Sequence, residues 1–263
     1  MLNKLLKYDL KYMIKNMSVF YILAIFFAIV TRILSLLHKT TIITIIYNIT
    51  LGILISMLFN ILINTMIRSW IRFRDSIYKD EAYLTHTLPV TKNDIYNSKF
   101  IQTLIFYLVG FIFIVLSLFI AFYTKDNWDK IEVVIRNMTI NLNISTLLFV
   151  LLMLIIIFLE VFNAIQCGFL GLIIGYRQSN AKLGFSVLFG FSAYFIAQSL
   201  VLALMAVVGL FNSDIMNLFK SQAVLDGSSF ITLYVGASIL YVVIIFIMSI
   251  LAKKLLNKGV NIE

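Results

Sequence analysis

Glu160, in the run "LMLIIIFLEVFNAIQCG", is the one acidic side chain set deep in a stretch apolar enough for lipid. A carboxylate at such depth costs about 2.5–3.5 kcal/mol on insertion scales, so it must face protein or water. Two uses fit: it couples to protons or lines a path, or it makes a structural hydrogen bond to Asn163, Gln166 or Asn64. Asn60 and Asn64, with Asn48, interrupt another apolar run. They either bond neighbouring helices or line a translocation path at a subunit interface. A secondary transporter driven by an ion gradient would need Glu160, and would show several such groups rather than one.

Other chemistry finds little material. A single cysteine, Cys167, cannot close an internal disulfide, and His38 and His86 lack metal-site spacing. No G-x-x-x-x-G-K-[ST] loop occurs, so the chain has no usual cradle for a nucleoside triphosphate. If ATP and Mg take part, another polypeptide must bind them, and no catalytic, cofactor or metal residue is expected in this one.

These groups must be positioned by elements suited to lipid. Of 263 residues 62% are hydrophobic and 13% charged, against about 45–50% and 25% in soluble domains. The expected fold is therefore all-α and polytopic, with six transmembrane helices over 18–37, 42–67, 100–123, 144–175, 183–211 and 230–251 in one membrane domain. The charge of +9 follows the same plan: 15 of the 21 Lys and Arg fall on the side holding both termini, the 68–99 loop and Arg177. That side is cytoplasmic by the positive-inside rule, and no nucleic-acid partner is implied. The first run is long for a signal peptide and no A-x-A-like site follows, so it is expected to remain.

Around the spans, residues 1–17 place Leu2, Leu5, Leu6, Leu10, Met13 and Met17 near helical period, with Lys4, Lys7, Lys11 and Lys15 on another face. This predicts an amphipathic interfacial helix that turns into the first span; the alternative is a basic flank that only orients the chain. The polar stretch after the third span, with Trp128, suits an outer loop carrying a short surface helix. The one after the fifth, with Ile215, Met216, Leu218 and Phe219, suits either a short helix returning to the membrane or a simple loop. Gly168, Gly171 and Gly175, followed by Gly184 and Gly190, suit close helix packing.

The longest polar interval is "RSWIRFRDSIYKDEAYLTHTLPVTKNDIYNSKF". Apolar residues at roughly helical spacing predict an amphipathic helix, which Pro89 ends by removing a donor and disfavouring helical geometry at Leu88. Thr91, three residues before Asp94, predicts a capping box that starts the next helix. Here the chain resembles the permease subunits of type-2 ABC transporters, mostly exporters. Asp80, Glu81, Ala82, Tyr83 and Leu84, then Leu88, Pro89, Val90 and Thr91, then Lys99, follow that family's acidic residue, short helix, "LPV[ST]" turn and lysine. Ala82 stands where many relatives have glycine, and the outer loop before the sixth span is short.

The resemblance implies a cytoplasmic coupling helix that rests in a groove of a separate ATPase subunit. Tyr83, Leu84 and Leu88 would then be apolar anchors, Pro89 the break after the helix, and Asp80 and Glu81 partners for bases on the ATPase. It also implies a second permease copy or a related permease, a cell-membrane location of bacterial type, and an amphipathic peptide, drug or lipid-like cargo. A non-transport rival is a membrane scaffold or signalling component that binds a cytoplasmic partner through the same loop.

Overall fold

The computed structural model describes residues 2–37, 40–218 and 226–259; His38, Lys39, Phe219 and Lys220, which enter the expectations above, lie outside them. Those residues form helices and no strand: α1 (Leu2–Leu36), α2 (Thr41–Ile77), α3 (Ala82–Thr87), α4 (Lys92–Phe122), α5 (Lys125–Leu142), α6 (Thr146–Gly175), α7 (Lys182–Phe211), α8 (Ser213–Leu218) and α9 (Gly227–Asn257). Six of them, α1, α2, α4, α6, α7 and α9, are long and apolar enough to cross a membrane. The chain is a multi-pass, all-α membrane protein.

The chain divides into two compact units, Met1–Trp128 with Ile262–Glu263, and Asp129–Asn261. In the first, α1 packs on α2 and α4. Its buried stripe runs Asp9, Met13, Met17, Tyr21, Ala24, Ala28 and Thr31, one residue per turn. Leu54, Leu58 and Ile61 of α2 and Phe106 of α4 complete the core, and Tyr21 stacks on Phe113 with centroids 4.5 Å apart. On another face of the same turns, Ile22, Phe26, Ile29 and Ile33 are exposed. A continuous apolar face of this kind suits acyl chains, since water-soluble monomers rarely expose one.

The N-terminal segment differs from expectation. No turn separates residues 1–17 from the first span; α1 is one helix from Leu2 to Leu36. The four lysines are indeed exposed and Met13 and Met17 buried, but that buried stripe continues unbroken into the span, so the same neighbours hold both parts and no bend is needed. At about 1.5 Å per residue, the 35 residues of α1 and 37 of α2 exceed a roughly 30 Å hydrocarbon core by some 20 Å. The surplus of α2 includes Arg68 to Ile77, the first part of the expected loop.

In the second unit α6 packs on α7 and α9, and α8 lies against α7. A Cβ added at Gly171 would stand 2.5 Å from the backbone of Gly190, and one at Gly175 would strike Ser186. The two helices thus touch backbone to backbone, as small residues permit in lipid. Cys167 meets Met248 of α9 at 3.7 Å, and Phe149 stacks on Phe230. The helix expected after the third span is α5, with Trp128 exposed. It ends at Asn143, whose φ of 52° sits in the left-handed region, where the amide of Ile144 reaches the carbonyl of Thr139 and satisfies an end of the helix.

Candidate functional site

The polar interval becomes a compact reversal between two long helices. Pro89 cannot donate to a helix, and Leu88 before it is extended, at φ −67° and ψ 143°; α3 therefore stops after six residues. Thr91 caps α4: its hydroxyl oxygen accepts from the Asp94 amide at 3.1 Å and donates to the Asp94 carboxylate at 2.8 Å. The cap is the expected one, although the shorter aspartate bonds the threonine hydroxyl here. Upstream, the Tyr78 amide ends α2 on the Arg74 carbonyl, and His86 Nε2 lies 3.1 Å from the Ile77 carbonyl. So α3 is tied back to the end of α2.

The expected anchors share this reversal. Ala82 and Thr85 turn inward. Tyr83 and Leu84 each leave 68% of their surface exposed and Leu88 leaves 39%, with Asp80 and Pro89 also exposed. Two apolar side chains of the six-residue α3, and Leu88 just after it, therefore stand out from the face that α3 turns away from α2.

Glu81 differs from its expected role. Both its carboxylate oxygens lie 2.6 Å from Nη1 of Arg72, so its first partner is internal. Arg72 in turn donates from Nε to Asp9 Oδ1 at 2.9 Å, and its guanidinium lies 4.8 Å from the ring centre of Tyr12. Asp9 also accepts from Lys99 Nζ at 2.5 Å and from Ser98 Oγ at 2.6 Å. Asp9, Arg72 and Lys99 are 2%, 9% and 3% exposed. Two acids and two bases thus form a neutral chain that joins α1, α2, the residue before α3, and α4.

Such a network contributes little net stability, because desolvating the three buried charges, Asp9, Arg72 and Lys99, offsets most of their attraction. Removing one member is costly, since it strands a buried charge. Its directional bonds also fix the angle and register of the three helices. Asp9 carried a signal in the sequence: it is the sole acid before Asp75, and it falls one turn ahead of Met13 in the buried stripe.

The remaining candidates lie apart from this site. Asn64 donates to Asn60, and Asn60 to the Ser56 carbonyl, at 2.9 Å in each case, so their amides bond back along α2 and not to a neighbouring helix. Glu160 belongs to the other unit and is exposed on α6. Tyr194 of α7 lies within electrostatic reach of it. The Tyr241 hydroxyl donates to Gln198 Oε1 at 3.0 Å. Asn163 is fully buried, without a hydrogen bond to either amide atom among the described residues. Among those residues no three His, Cys, Asp or Glu side chains gather into a metal-holding group.

Mechanically, the arrangement is a short helix with exposed apolar anchors, rooted in three long helices by buried charge. No family model matches the chain, nor does any curated protein or solved structure.

Proposed function

We propose that the chain is the membrane-spanning subunit of an ATP-driven ABC exporter, with α3 as the element that docks in a groove of a separate ATPase subunit. The observation that carries this reading is the outward display of Tyr83, Leu84 and Leu88 on a helix whose root is fixed by Glu81 and Arg72. Apolar anchors on a short helix are what groove recognition requires. The root supports the second requirement: a force on α3 passes through Arg72 and Asp9 into α1, α2 and α4 together, because no member of the network can shift alone without stranding a charge.

In this reading the chain catalyses no covalent step. ATP and Mg are held by two ATPase subunits, and a second permease copy or a related permease completes the path. The cargo class is amphipathic: a peptide, a drug or a lipid-like molecule. Both termini and α3 face the cytoplasm of a bacterial cell. Asp80, exposed and next to the anchors, pairs with a base on the ATPase, while Glu81 positions the loop from within.

The test is co-purification with an ATP-binding cassette ATPase, sought first in the reading frames beside this one. Tyr83→Ala with Leu84→Ala should reduce association at least tenfold, while leaving the chain folded in detergent. Unchanged association together with unchanged coupling of ATPase activity would remove this reading. A second reading rests on Glu160, whose carboxylate is exposed on α6 beside Tyr194: a transporter driven by protons. In reconstituted vesicles Glu160→Gln abolishes transport under that reading, and ATPase inactivation abolishes it under the first.

A further inference from the structure

The charges of the second unit are unevenly distributed. Its acids among the described residues are Asp129 and Glu132 in α5, Glu160 within α6, Asp214 at the start of α8, and Asp226 before α9. None belongs to the α6–α7 turn or the last turns of α9. Those segments carry Arg177, Lys182, Lys253, Lys254 and Lys258. The first unit differs in kind, since Asp9, Asp75 and Glu81 neutralise bases there.

Between the ends of α6 and α9 lies a cavity of about 610 Å³, lined by Ile174, Arg177, Gln178, Leu255, Lys258 and Gly259. Arg177 and Lys258 are exposed and have no ion pair among the described residues. Gly259 adopts φ +128°, and a Cβ there would meet nothing, so open space adjoins the cations. Ile174 and Leu255 supply an apolar wall. The helix C-termini bring about half a negative charge each, which the two full positive charges outweigh.

We propose that this cavity binds a phosphate group, supplied by an anionic phospholipid headgroup at the membrane surface. A guanidinium fork and an ammonium suit phosphate oxygens, and a basic pocket between membrane helices is a physical match for a lipid headgroup. The apolar wall favours a phosphate that carries acyl chains over a free one. This inference rests on the membrane-spanning fold and not on the ATP-driven transport reading, so either can fail alone.

The test uses the full chain in nanodiscs of phosphatidylcholine with and without phosphatidylglycerol, followed by native mass spectrometry of retained lipid. The wild type should retain phosphatidylglycerol in preference to phosphatidylcholine. Arg177→Gln with Lys258→Gln should weaken that preference on the order of thirtyfold, as two interfacial cations would. Lys254→Gln, on the same end but not lining the cavity, should have a smaller effect. An unaltered preference in the double variant, or an equal loss in Lys254→Gln, overturns the site and leaves a diffuse basic surface. Sodium phosphate and glycerol 3-phosphate provide the second arm. Weak competition by both supports the lipid source, whereas tight binding of either without lipid overturns it and assigns the site to a soluble phosphate compound.

Discussion

In the first unit α1, α2 and α4 meet over Asp9, held by Arg72, Lys99 and Ser98; in the second, α6 and α7 meet over Gly171, Gly175, Ser186 and Gly190. Both answer the same difficulty. Lipid chains are as apolar as leucine, so helices in a bilayer gain nothing from hiding hydrocarbon and must associate by close packing or polar bonds. Charge sets direction and register but fails badly when halved. Bare backbone allows intimate contact but tolerates no added atom. The charged solution is found where α2 and α4 outrun the hydrocarbon and carry α3; the glycine solution is found along the helices themselves.

The largest test removes the charge at the centre of the first unit. Asp9→Ala strands Lys99 and leaves Arg72 with Glu81 alone, and should cost about 3–5 kcal/mol, read as unfolding in detergent. Asp9→Leu combined with Lys99→Leu should cost less than the sum of the two single changes, because the pair is removed together; strict additivity would show that the network is not coupled. Neither variant should expose Cys167, which is 1% exposed in the other unit.

Gly171→Leu probes the opposite case. Its side chain runs into the Gly190 backbone, and overpacking of this kind costs about 1–3 kcal/mol. Thiol labelling of Cys167 should accelerate. Gly184→Ala, with nothing within 4 Å, should leave labelling at the wild-type rate; an equal effect there would break the packing argument.

A smaller change is expected from Tyr241→Phe, which deletes the donor to Gln198. Side-chain hydrogen bonds in membranes average about 0.6 kcal/mol, so unfolding should shift only slightly, and a loss as large as that of Asp9→Ala would erase the contrast between the units.

The smallest effect is at the start of α9. Asp226 is held below its usual 3.8 by the Ser229 amide, then by the Ser228 hydroxyl and amide. A lowered folded pKa means that the cap's contribution is complete above the unfolded value and disappears as pH falls through the folded one. Amide exchange at Ser228 and Ser229 should therefore speed up below about pH 4, beyond the intrinsic change. Asp226→Asn should remove that pH dependence.

Six membrane helices, the break at Pro89 and the Thr91 cap were legible because each follows from local chemistry: apolar length, a missing donor, a hydroxyl three residues before an amide. Tyr83 and Leu84 were visible too as apolar residues in a polar interval, and both are exposed. Asp9 was not placed, although its phase with Met13 and Met17 pointed inward, because its partners are 63 and 90 residues away. The lysines around it read as the polar face of an interfacial helix, and that reading concealed the single acid among them. Glu160 stood out in the sequence as an acid in apolar surroundings, but its neighbour Tyr194 lies on a different helix.

By itself, then, the sequence determined which segments enter lipid and where helices start and stop, since water, hydrocarbon and backbone geometry act on a few adjacent residues. Only the tertiary structure decided which charges neutralise one another and which glycines touch. Those outcomes depend on how helices distant along the chain are rotated and brought together, and a rotation of one helix by one residue, about 100°, would replace every partner.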